Sequence, residues 1–390
     1  MSLILARSPY FIERESYDAG ATLTLTIGRG RYSGGSIIDV IKTYTLNFRE
    51  QTELDISPLI RDAIGYNTTY DVDYVVYVKA LITGDEGGIP SGSTTKYFYV
   101  TDGYAFYEDG YNYAADSQNN TLYKNSFYAG SNTTIYRLDD KTIRLPFLCT
   151  YLAPAPNVAT LTLNYYKNNE LVSSEDTIFQ TGSSSSNAYQ LITDGAVDLE
   201  TRVIADDGVF ENTKCFQKFI RNTQLVDYDK ILATTDFLGF TLPSVELTIK
   251  TISECKYKPY EIIFKNRYGV EESLWFFKKS EHSLTTERES YRGNTFAQFK
   301  AGDLSYHTYQ GYNVNGREMM VLNSGFLEES FSENFKQLAL SEKVYIMMDN
   351  LKLPVVLRSK DVTYKQSVNE KLIDYRIEVE FAYDKLNNIV

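Results

Sequence analysis

Apolar and polar residues alternate with period two along much of the chain. Ala21, Leu23, Leu25 and Ile27 alternate with Thr22, Thr24 and Thr26, which predicts a half-buried strand. The Val- and Tyr-rich run 70–82 and the run 95–100 read as two more strands about the turn-rich stretch 84–93. Ala159, Leu161 and Leu163 alternate with Thr160, Thr162 and Asn164, and Val245, Leu247 and Ile249 repeat the pattern. The sequence 261–277 predicts two strands about a turn at Gly269, and 344–348 with 353–357 predicts a hairpin about Asp349-Asn350. The longest alternation sets Ile373, Tyr375, Ile377, Val379, Phe381 and Tyr383 against Asp374, Arg376, Glu378, Glu380, Ala382 and Asp384. Two segments read as helices. In 57–64, Ser57 suits the N-cap and Pro58 the first helical position. In 330–343, Ser330 and Glu333 match a capping box, and Phe331, Phe335 and Leu338 share one face.

These elements predict a mainly β chain of antiparallel, sandwich-like domains, followed by a C-terminal α+β domain with one helix on an antiparallel sheet. The expected divisions are an N-terminal β-sandwich over 1–105, a second β-rich domain over 106–254 and an α+β domain over 255–390. The second domain opens with a stretch in which rings crowd between Asp, Gly and Asn: Tyr104, Phe106, Tyr107, Tyr111, Tyr113, Tyr123, Phe127 and Tyr128. That composition predicts a long loop or irregular hairpins, and a contact surface rather than core. Gly182 to Ser186 reads as a flexible surface loop, and the Gly- and Arg-containing stretch 28–35 as a hairpin tip.

Composition narrows the function. The 390 residues carry 39 Lys and Arg against 51 Asp and Glu, a formal net charge of −12. That balance argues against a general nucleic-acid surface, which needs clustered cations. No run approaches the roughly 20 apolar residues that span a bilayer, and residues 3–6 are too short for a signal-peptide core, so no membrane partner and no export by the usual signal are expected. Cys149, Cys215 and Cys255 are widely spaced and read as reduced core thiols. The 33 tyrosines suit half-buried sheet faces and protein interfaces.

Motifs for chemistry are scarce. The chain has only two histidines, His282 and His307, and neither sits in a nucleophile context. The 28–35 stretch lacks the spacing of a dinucleotide loop. Asp71/Asp73, Asp139/Asp140 and Asp206/Asp207 are carboxylate pairs of the kind glycoside hydrolysis uses, but 51 acidic residues produce such pairs by chance. Asp206-Asp207-Gly208 lacks the alternating ligands of a calcium loop. No catalytic, cofactor-binding or metal-binding residue is expected. The ring-rich stretch keeps a second reading, in which sugars stack on aromatic faces beside Asn and Asp.

Several short segments, spread in order along the chain, carry a resemblance. They are Ala6-Arg7-Ser8-Pro9-Tyr10-Phe11-Ile12, Asp55-Ile56-Ser57-Pro58-Leu59-Ile60-Arg61-Asp62, and Ile262-Ile263-Phe264-Lys265-Asn266-Arg267-Tyr268-Gly269 followed by Trp275-Phe276-Phe277. The C-terminal ones are Asn323-Ser324-Gly325-Phe326, Leu340-Ser341-Glu342-Lys343-Val344-Tyr345 and Ser367-Val368-Asn369-Glu370-Lys371-Leu372-Ile373. Together they resemble tail and baseplate structural proteins of tailed bacteriophages, notably those infecting Bacteroidetes. The resemblance implies a non-enzymatic virion subunit, made in the host bacterial cytoplasm, whose partners are copies of itself in a symmetric ring and other phage tail proteins. It carries no catalytic motif. The alternative is a glycan-binding or receptor-binding module of the virion that uses the Tyr-rich loops.

Overall fold

The computed structural model describes residues 2–13, 21–31, 37–48, 52–65, 76–86, 89–114, 121–138, 142–148, 157–181, 215–221, 228–237, 240–254, 256–292, 309–349, 351–359 and 372–386. The protein is mainly β, with several antiparallel sheets and a C-terminal sheet accompanied by one helix. It divides into two compact units, Met1–Ser253 with Lys265–Glu272, and Glu254–Phe264 with Ser273–Val390.

Strands β1 (Ser2–Leu5), β2 (Phe11–Glu13), β3 (Thr22–Arg31), β4 (Ile37–Asn47) and β5 (Glu53–Asp55) precede helix α1 (Ser57–Gly65), and β6 (Val76–Glu86) and β7 (Ile89–Thr101) follow it. Five of these strands form a sheet of order β1-β7-β6-β3-β4, while β2 pairs with β5. Its neighbours run antiparallel except β1 on β7. The β3 alternation is realised as expected: Leu23, Leu25 and Ile27 are buried with Val78, Ala80 and Ile82 of β6 and with Ile60 and Ala63 of α1. Gly28 to Arg31 belong to β3 and pair with β4, which corrects their assignment to a hairpin tip. Residues 32–36 lie outside the described residues.

Ser57 does not cap α1. Its hydroxyl donates to Ser8 O at 2.6 Å and to Asp55 Oδ1 at 2.8 Å, and accepts the Tyr10 N–H at 2.8 Å. The N-terminal segment thus outcompetes the helix for this side chain, and Ile56 N–H to Tyr10 O closes the contact.

Next come α2 (Thr121–Lys124), β8 (Thr134–Leu138), β9 (Thr142–Leu148), β10 (Asn157–Lys167), β11 (Glu170–Thr181), β12 (Cys215–Arg221), β13 (Lys230–Phe237), β14 (Phe240–Thr241) and β15 (Val245–Ile252). They build a sheet of order β11-β10-β13-β15-β8, with β14 on β13, and a separate β9–β12 pair. Leu161, Leu163, Ile231, Ala233, Leu247 and Ile249 are buried beside Leu145 and Phe147 in one core. The stretch 182–186 lies outside the described residues.

The last sheet comprises β16 (Tyr260–Lys265), β17 (Glu271–Phe276), β18 (Glu281–Arg292), β19 (Tyr309–Glu328), β20 (Val344–Met348), β21 (Leu351–Leu357) and β22 (Leu372–Phe381), with helix α3 (Ser332–Leu340) between β19 and β20. The strand order is β17-β16-β20-β21-β22-β19-β18. Phe331, Phe335 and Leu338 are buried, as their shared face predicts, and Phe335 stacks on Tyr375 of β22 at 3.9 Å. The capping box is not formed. The chain enters α3 through a 3-10 turn, Glu329–Phe331, which leaves Phe331 at the cap with no side-chain capping bond. The turn gives the Ser332 N–H a backbone acceptor, Glu329 O, in place of a side chain.

On β22 the residues Ile373, Tyr375, Ile377, Val379 and Phe381 are buried, and Arg376 is exposed. Glu380 departs from the outward-facing expectation. It is buried, because Arg358 and Arg317 close over its carboxylate.

Candidate contact surface

The ring-rich stretch begins where β7 ends. The Arg7 N–H donates to Gly103 O at 2.9 Å, and the Tyr104 N–H to Arg267 O at 2.7 Å. Residue 103 is necessarily glycine here, since a Cβ would stand 2.5 Å from Arg267 O and 2.9 Å from Leu5 Cδ2. Gly269 faces the same backbone with φ of +78°. Nearby, the buried Glu272 carboxylate accepts the Ser131 hydroxyl at 2.6 Å and Asn266 Nδ2 at 3.1 Å. Asn266 Nδ2 also donates to Ala129 O at 2.7 Å. Segments 101–104, 129–131 and 265–272 are therefore tied together by backbone and buried polar bonds.

The next residues hang on Arg267. Its guanidinium donates to Asp109 Oδ2 at 2.7 Å, and the same oxygen accepts the Phe106 N–H at 2.8 Å. The cation also lies 4.8 Å from the Phe106 ring, 5.3 Å from Tyr268 and 5.7 Å from Tyr113. Between Phe106 and Gly110 the chain makes a 3-10 turn, Tyr107–Asp109. Asn112, at φ of 55°, then accepts the Phe11 N–H at 2.6 Å, and Ser8 Oγ accepts the Ala105 N–H at 2.6 Å. Every second or third residue from 103 to 112 is thus fixed by a non-local bond. Burial pushes the Tyr113 phenol up to about 12, with Tyr268 adding to the shift and Arg267 opposing it, so the ring stays neutral at physiological pH.

This frame divides the predicted interface residues. Tyr107 is 93% exposed and Tyr111 is 70% exposed, with Phe11 edge-on to Tyr111 at 5.7 Å. Phe106, Tyr113 and Tyr123 are half-buried. Tyr104, Phe127 and Tyr128 are buried, which corrects the expectation that the whole stretch is surface and not core. Tyr104 lies under Arg7, whose guanidinium is 4.9 Å above the ring. Phe127 and Tyr128 follow α2 and enter the core of the second sheet, where Tyr128 meets Phe147 edge-on at 5.5 Å. The Tyr128 hydroxyl reaches Asn132 O at 2.9 Å, which satisfies it away from water. Asp and Gly around a ring mark a turn, but whether that ring points in or out depends on partners such as Phe147 and Arg267, which are distant in sequence.

The other sequence candidates do not converge on a reactive centre. Asp71, Asp73, Asp139, Asp140, Asp206, Asp207, His307, Cys149 and Cys255 lie outside the described residues. His282 Nε2 sits 3.3 Å from the Tyr260 hydroxyl. Among the described residues, no group of three or more His, Cys, Asp or Glu could hold a metal ion, and no helix is long and apolar enough to cross a membrane. No protein-family model matches the chain, and no curated protein matches it.

Proposed function

We propose that the chain is a non-enzymatic structural subunit of a bacteriophage tail or baseplate, assembled as a symmetric ring and touching other tail proteins. The observation that carries the assembly reading is the Tyr107–Tyr111 turn, a pair of exposed rings on a backbone held by Arg267, Asn112 and Ser8. A rigid tyrosine loses little rotamer entropy on contact and offers both an apolar face and a hydroxyl, the chemistry of interface anchors. Copies joined by a heterologous contact of this kind close into rings. The tail assignment rests on the resemblance. Two of its segments, 6–12 and 55–62, bond to each other through Ser8, Tyr10, Asp55 and Ser57, and a third supplies Arg267.

Analytical ultracentrifugation of the purified chain over a wide concentration range tests this reading. A closed oligomer is expected, weakened in Tyr107→Ala and Tyr111→Ala while circular dichroism stays unchanged. A chain that remains monomeric at every concentration, and forms no ring in an imaged particle, defeats the proposal. Binding to a glycan array that is lost on Tyr107→Ala or Tyr111→Ala replaces it with the glycan-binding reading.

A further inference from the structure

The second unit contains a cleft of about 400 Å³ on one face of the β18–β19 hairpin, within the ~300–1,000 Å³ typical of small-molecule sites. Its floor is a fixed ion network. Arg358 donates Nε to Glu380 Oε2 at 2.7 Å and Nη2 to Oε1 at 2.8 Å, and Arg317 donates Nη1 to the same Oε1 at 3.3 Å. Arg317 Nε donates to Asp384 Oδ1 at 2.8 Å. Both guanidinium planes are therefore held in place, with Arg358 Nη1 and Arg317 Nη2 left over from these bonds.

The walls come from paired residues of the two strands. Glu287 faces Asn315 across the ladder, and Glu289 faces Tyr312 after a register shift in which Asn313 takes φ of 48°. Bulges of this kind re-aim side chains beside binding sites. Glu287 makes no hydrogen bond or ion pair among the described residues. Glu289 accepts the Tyr312 hydroxyl. The Tyr312 ring is 49% exposed and has the Tyr291 ring edge-on at 5.6 Å. Cross-strand partners share a face, so Tyr312 stands at the Glu289 end of the cleft.

We infer that this cleft binds a neutral saccharide. Its lining alternates carboxylate acceptors with guanidinium donors, so a ligand of one charge sign would be repelled by half of it. A sugar hydroxyl donates and accepts at once: it can give its proton to Glu287 while taking a hydrogen bond from Arg317 or Arg358. The exposed Tyr312 ring offers the apolar face on which a pyranose stacks. The inference is independent of the assembly reading, which rests on Tyr107 and Tyr111.

The test is saturation-transfer NMR and titration calorimetry on the full chain. The probes are the methyl glycosides of glucose, galactose and mannose, N-acetylglucosamine, and a printed array of bacterial surface polysaccharides. At least one probe should bind. Affinity should fall about tenfold or more in Glu287→Ala and in Tyr312→Ala, the loss of one charge-assisted hydrogen bond or one stacking contact. It should be unchanged in Tyr107→Ala. Both cleft positions are exposed, so the variants keep the fold, as circular dichroism would verify. The inference is overturned if no probe binds, or if binding survives both cleft substitutions. It is also overturned if Glu287→Ala abolishes self-association instead, which makes the cleft a protein contact. Ring formation measured in parallel on Tyr107→Ala separates failure of this site from failure of the assembly reading.

Discussion

Arg267 shows how much one side chain can organise. Replacing it with Ala strands a carboxylate, Asp109, that is 24% exposed, and removes the cation from three rings. The expected cost is about 2–3 kcal/mol, below the range for fully buried pairs because water still reaches Asp109. Urea denaturation of Arg267→Ala, Asp109→Asn and the double variant checks this: the two effects should be strongly non-additive, and additive losses would mean that the pair does not hold the turn. Gly103→Ala acts by sterics instead. Its methyl would meet backbone on one side and Leu5 on the other, so a loss of roughly 1–3 kcal/mol is expected in the same measurement. Glu380 adds a pH dependence. The Arg358 hydrogen bonds, helped by Arg317 and opposed by burial, hold its carboxyl below the ordinary value of 4.5. Its contribution to stability is therefore complete above that ordinary value and is lost as pH falls through the lower folded-state value. Glu380→Gln should lower Tm at neutral pH and flatten the decline in acid. A variant whose Tm falls with acid as steeply as wild type would show that this carboxylate does not carry the dependence.

At the scale of elements, the sequence was legible wherever one face of an element is buried. The β22 alternation and the Phe331, Phe335 and Leu338 face of α3 were read correctly, because burial on one side imposes a period. Phe335 lies between Tyr375, stacked at 3.9 Å, and Phe276, edge-on at 6.0 Å. Phe335→Ala should therefore open a cavity and cost roughly 3–5 kcal/mol in denaturant titration, and a neutral result would mean that α3 does not pack on the sheet. Reading failed where a non-local partner decides the outcome. Glu380 occupies a solvent-type position in the β22 pattern, yet residues from β19 and the end of β21 bury it. It failed again for β18 and β19, the latter 20 residues long, which have no expected counterpart. All twelve residues of β18 are exposed, and the first pairing of β19 with β22 is at Met319. The outer part of this hairpin has water on both faces, so no apolar period marks it in the sequence. A two-stranded ribbon is marginal in water on its own. Amides of 285–292 should exchange with deuterium much faster than those of β22, and equal protection in the isolated chain would show that something else covers the ribbon.

At the scale of the whole molecule, the division into units follows from where the apolar side chains meet. Leu23, Leu25, Val78 and Ile60 form one core, and Leu161, Ile231, Leu247 and Phe147 another, both within the first unit. A third cluster there joins Leu3, Leu5 and Tyr99 to Leu122, Leu148, Tyr268 and Val270. This cluster draws on both sheet regions and on 265–272, so it links the two larger cores into one cooperative body. Phe276, Phe335, Tyr375 and Val379 belong to the second unit and are buried there. A chain with two such bodies departs from two-state unfolding, and its transitions can be assigned by mutation. Gly103→Ala and Arg267→Ala should move one calorimetric transition, and Phe335→Ala the other. The chain passes between the units at 253/254, 264/265 and 272/273, so each residue of the 265–272 turn is flanked by strands of the second unit. Glu272→Ala is the variant that probes this connection. It removes the buried acceptor of Ser131 and Asn266 in the first unit while sitting on β17, a strand of the last sheet. If the units unfold independently, Glu272→Ala shifts only the transition that Gly103→Ala shifts. If it lowers both transitions together, the β16–β17 hairpin transmits stability between the units, and the chain unfolds as one body.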